Sequence, residues 1–71
     1  MLIKFIDVGR DKKTWEEDIP LDDGLLDGVA MVKAIRRKRA LLSRGIECSD
    51  DGLIFAGERA VGRWIVSPLI N

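Results

Sequence analysis

Met1-Leu2-Ile3-Lys4-Phe5-Ile6-Asp7-Val8 is the stretch on which the fold turns. Read as a strand from Leu2 to Val8, it alternates between two faces. One face carries Leu2, Lys4, Ile6 and Val8, and the other Met1, Ile3, Phe5 and Asp7. Both are mostly apolar, which suits a central strand rather than an exposed edge. The next residues supply a partner for it. Gly9-Arg10-Asp11-Lys12 has the composition of a turn, and Lys13 to Asp18 alternates weakly around Trp15, so the first pairing is predicted to be a hairpin.

Ile19-Pro20-Leu21 ends that second strand, because proline cannot donate to a ladder. Asp22 or Asp23 is a suitable N-cap, and the pattern predicts a helix from about Leu25 to Arg44, closed by Gly45. At 100° per residue, Gly28, Met31, Val32, Ile35 and Leu42 share one face, with Lys33, Arg37 and Arg44 opposite. Arg36 and Arg39 fall nearer the apolar stripe, where long stems cover a core edge while their heads stay in water. Beyond Gly45, Ile46-Glu47-Cys48 reads as a short extended piece and Ser49-Asp50-Asp51-Gly52 as a turn. Leu53 to Ala56 and Ala60 to Ser67 are predicted strands joined by Gly57-Glu58-Arg59, and Pro68 stops the last one. The expected fold is a small single α+β domain over residues 1–71, ordered β-β-α-β-β. One helix packs on a mostly antiparallel sheet.

Seventy-one residues make one domain. With 46% hydrophobic and 34% charged residues and twelve bases against twelve acids, the chain is globular rather than disordered. Cys48 is the single cysteine and there is no histidine, which removes an internal disulfide and a zinc site. A core this small is expected to be marginal, and self-association is one remedy. The first strand and Leu53 to Ala56 are apolar on both faces, yet one helix covers only one side. Uncovered apolar area of that kind marks an interface. The plainer reading is that Ile19-Pro20-Leu21 and a Leu69-Ile70 tail wrap the remainder. No apolar run reaches the ~18 residues of a membrane span. The N-terminus runs straight into a strand without a signal-peptide core. With a single free thiol, a cytoplasmic protein is expected.

Chemistry is thinly represented. Without histidine, neither a Cys-His nor a Ser-His pair can be built, and Cys48 lies among Glu47, Asp50 and Asp51, which raise rather than lower a thiol pKa. Asp22-Asp23, Asp50-Asp51 and Glu16-Glu17-Asp18 lack the alternating layout of a calcium loop and read as a cap, a turn and a solvated strand end. Gly57 to Gly62 has phosphate-loop glycine spacing, but Arg63-Trp64 stands where Lys-Ser or Lys-Thr is required. Neither an enzyme, a metal nor a cofactor is expected.

The most conspicuous feature is charge. Lys33, Arg36, Arg37, Lys38, Arg39 and Arg44 place six bases between positions 33 and 44 with no acid among them. Residues 1–30 carry eight acids and four bases, whereas residues 31–71 carry eight bases and four acids. The expected function is therefore a non-enzymatic interaction or regulatory module that binds a protein partner and self-associates. Its candidate partner-binding residues are Lys33, Arg36, Arg37 and Arg44 on the helix, with Arg59, Arg63 and Trp64 in the last hairpin. The alternative is a small nucleic-acid-binding protein using the basic helix 33–44. A pI near 6.2 and the lack of an aromatic-rich strand weigh against it. The plainer account is that the helix neutralises the chain's own acidic hairpin.

Overall fold

In chain order the elements are β1 (Leu2–Val8), β2 (Lys13–Asp18), β3 (Leu21–Asp22), β4 (Leu25–Leu26), α1 (Gly28–Arg37), β5 (Ile46–Cys48), β6 (Leu53–Ala56) and β7 (Arg59–Val66). The computed structural model describes residues 1–67, so the Leu69-Ile70 tail lies outside the described residues. Five strands make one sheet in the order β2-β1-β7-β6-β5, every neighbouring pair antiparallel. β1 is interior, as its two apolar faces require, and α1 packs on one side of the sheet.

The order differs from β-β-α-β-β because the chain makes a second hairpin before the helix and adds the short strand β5 after it. Leu21 pairs with Leu26 and Asp22 with Leu25, around Asp23 at φ 54° and Gly24 at φ 81°. Two consecutive left-handed residues are the signature of a type I′ turn, for which Asp-Gly is a preferred dipeptide. Asp22 and Asp23 are therefore spent on a turn. The cap is Asp27, whose side chain accepts from the Val29 amide at 2.9 Å.

The helix also ends early. Lys38 is its C-cap, Arg39 takes a left-handed φ of 57°, and the Arg39 and Ala40 amides donate to the Arg36 and Ile35 carbonyls. That pair of bonds is a Schellman motif, here with arginine where glycine is usual. Gly45 closes no helix, Leu42 lies exposed in the loop beyond it, and Ile46 starts β5.

The core comprises Ile3, Phe5 and Val8 of β1, Met31, Ala34 and Ile35 of α1, and Ile19, Ile46 and Ile54. Simple alternation would put Asp7 with Ile3 and Phe5, and Val8 on the other face. A bulge prevents this. The β1–β2 register slips between Phe5 and Val8, Asp7 adopts φ 51°, and its amide donates to the Thr14 hydroxyl at 3.0 Å. One extra residue inverts the phase of the strand beyond it. Aspartate turns out to solvent and Val8 turns in with no exposed surface.

Candidate interaction surfaces

The six bases of residues 33–44 do not form one helical surface. Only Lys33, Arg36 and Arg37 lie in α1, and Arg44 sits in the loop before β5. Arg37 forms an ion pair with Glu17 of β2. Lys38 lies 6.0 Å from the centroid of Trp15, a distance at which a cation still feels the ring face. The helix cations thus bear on the acidic hairpin within one chain. An exposed pair of this kind adds less than about 1 kcal/mol, so its main consequence is to occupy Arg37.

The last hairpin is likewise divided. Registers place Trp64 opposite Phe5 and Arg63 opposite Ile6, hence on opposite faces of the sheet. Trp64 is half-buried against the core, and its indole Nε1 donates to the Ser49 carbonyl at 3.0 Å. Trp64 thus packs on the core, on the face opposite Arg63. Phe5 stacks on Trp15 with centroids 4.7 Å apart, so the core side carries an aromatic row of Trp15, Phe5 and Trp64 across three adjacent strands. Arg59 and Arg63 remain exposed.

The opposite face is open. By the strand registers, it carries Leu2, Lys4 and Ile6 of β1, Glu16 and Asp18 of β2, Ile65 and Arg63 of β7, and Leu53 and Phe55 of β6. Met31, Ala34 and Ile35 attach α1 to the other side, where they join Ile3, Phe5 and Val8. Leu2 and Ile65 are 39% and 45% exposed, and Ile6, Leu53 and Phe55 are half-buried. At the end of the sheet where β1 finishes, an open groove of about 950 Å³ runs between the β1–β2 turn and β7. It is lined by Arg10, Lys12, Arg59 and Arg63.

Cys48 lines a smaller cavity of about 470 Å³ beside the start of α1, with Asp27, Val29 and Val32. Burial pushes its thiol up from about 9 to about 11. The direction agrees with the sequence expectation, but the cause is burial rather than acidic neighbours. Below pH 9 the thiol is protonated in folded and unfolded chains alike. The folded state's preference for the neutral form means that stability falls as pH rises from about 9 towards 11. Because the thiolate is the nucleophile, alkylation of folded protein at pH 8 is expected to run about a hundredfold slower than in denaturant. Equal rates, measured by mass spectrometry, would show that Cys48 is not sheltered.

Among the described residues no group of three or more acidic or cysteine side chains is placed to hold a metal ion, and no helix is long and apolar enough to cross a membrane. Comparison with protein-family models, curated proteins and solved structures finds no match.

Proposed function

We propose that this chain is a non-enzymatic interaction module that acts by protein–protein binding and pairs with a second copy through the open face of its sheet. The observation that carries this reading is the run of Leu2, Ile6, Leu53, Phe55 and Ile65 on the side away from α1. Apolar side chains in water forgo about 25 cal/mol for each Å² that a partner would cover, and a domain of this size has little core to spare. A second copy is favoured as occupant by the charges around the patch. Glu16 and Asp18 lie on its β2 margin and Lys4 near its middle. Asp18 also holds the Met1 amine and Glu16 accepts from the Ser67 hydroxyl within the chain, and a two-fold axis that sets the β2 margin of one copy against Lys4 of the other would be self-complementary.

Replacing Leu2 and Ile65 together by lysine tests this. Both side chains already meet solvent, so the fold is expected to survive while two buried charges per copy oppose pairing. The expected result is a monomer with an unchanged far-UV spectrum and at least a hundredfold weaker self-association by sedimentation equilibrium. Association undiminished in the double variant would place the contact elsewhere. Nucleic-acid binding by the helix is the weaker reading, since Arg37 is already paired with Glu17.

A further inference from the structure

Two groups of basic residues differ in what they touch, and Lys4, Lys33, Arg36, Arg39 and Arg44 belong to neither. Arg37 is paired with Glu17, Lys38 lies against Trp15, and the Lys13 amine donates to the Lys38 carbonyl at 3.1 Å. These cations serve the chain itself. Arg10 and Lys12 in the β1–β2 turn, and Arg59 and Arg63 on β7, serve nothing comparable. All four are exposed, all four line the same groove, and none makes an ion pair or a side-chain hydrogen bond among the described residues. Asp7 is the single acid in the lining. Bringing like charges together opposes folding, so four unpaired cations around one concavity are best explained by an anion that arrives from outside.

The walls decide the form of that anion. Three of the four cations are arginines, whose planar forks match phosphate oxygens in pairs. Arg59 and Arg63 stand four residues apart on β7, about 13 Å of extended strand, in a groove of about 950 Å³, a spacing that suits a chain of phosphates better than a single one. No aromatic side chain lines the groove, so bases have nothing to stack on. The strands beside it, β1, β6 and β7, are each paired on both edges. An acidic peptide therefore finds no strand edge to extend.

We propose that this groove is a phosphodiester-binding surface that holds a nucleic-acid backbone without reading its bases. The groove shares Ile6, Leu53 and Arg63 with the open sheet face, but Leu2 and Ile65 lie outside its lining, so substitutions there separate a failure of pairing from a failure of anion binding.

The test is fluorescence anisotropy with a labelled duplex of about 20 base pairs, titrated between about 50 mM and about 200 mM salt. Four phosphate contacts predict a slope of log K against log salt of about −3.6, from about −0.9 per contact on duplex DNA. The double variant Arg59→Gln/Arg63→Gln is expected to bind at least tenfold more weakly, with the slope reduced by about two contacts' worth, to near −1.8. Arg10→Gln/Lys12→Gln, confined to the turn, is expected to do the same and guards against a folding defect in the first variant. Lys33→Gln/Arg36→Gln on α1 is expected to bind like the parent. The Leu2→Lys/Ile65→Lys chain is expected to keep its site. Absence of binding at the lowest salt would overturn the proposal. So would a loss in the α1 variant equal to that in the groove variants, or tighter binding to poly-glutamate than to the duplex.

Discussion

Phe5→Ala is expected to leave the domain largely unfolded at 25 °C. Phe5 has no exposed surface, sits on an interior strand, and stacks on Trp15 at 4.7 Å with an interplanar angle of 19°. Truncating a buried phenylalanine costs about 3–5 kcal/mol through lost transfer energy and the cavity left behind. Losing the aromatic pair adds about 0.5–1.5 kcal/mol. A domain of this length is expected to hold only about 4–10 kcal/mol in total, so the loss is comparable with the whole. Urea unfolding monitored by tryptophan fluorescence reads it directly, since Trp15 and Trp64 flank Phe5 on the neighbouring strands. A loss under about 1.5 kcal/mol would mean that Phe5 is not the centre of the core.

Gly9→Ala is the second large effect, and it acts through backbone rather than packing of side chains. A methyl group at Gly9 would come within 2.0 Å of the Ala40 carbonyl oxygen and 3.1 Å of its carbon. That obstacle cannot swing aside as a side chain would. Three segments meet there: the Gly9 amide donates to the Val61 carbonyl at 2.9 Å, and the Gly9 carbonyl accepts from Lys12 at 3.1 Å. The φ of 80° adds the left-handed cost of about 1 kcal/mol. Together with overpacking of about 1–3 kcal/mol, a destabilisation of about 3 kcal/mol is expected. Gly24→Ala separates the two causes, because Gly24 has nearly the same φ, 81°, and nothing within 4 Å. It should lose only about 1 kcal/mol. Equal losses at the two glycines would remove the close approach of the loop after α1 to the first turn.

Much of this architecture is legible in the residues. The doubly apolar β1 reports its interior place, and Gly9 to Lys12 reports the first hairpin. The misreadings have local causes. Leu21-Asp22-Asp23-Gly24-Leu25-Leu26 carries Asp-Gly between apolar residues, a hairpin signal that competes with the same aspartates' suitability as a helix cap. Arg39 closes the helix in a left-handed conformation that most side chains resist, so a helix continued to Gly45 is the natural but mistaken extrapolation. The β1 bulge hides in Asp7, since aspartate tolerates a positive φ without advertising it as glycine does. The charge surfaces are the least legible. Arg10 and Lys12 are distant in sequence from Arg59 and Arg63, and only the pairing of β1 with β7 brings them to one end of the sheet. Arg37, prominent in the sequence, is paired inside the chain.

Solution mass by light scattering at low and high salt decides whether a second copy of the chain closes the uncovered sheet face. An apolar contact is strengthened rather than screened by salt, so twice the 8.0 kDa of one chain is expected in both conditions. A mass of 8.0 kDa at both, at concentrations well into the micromolar range, would contradict it.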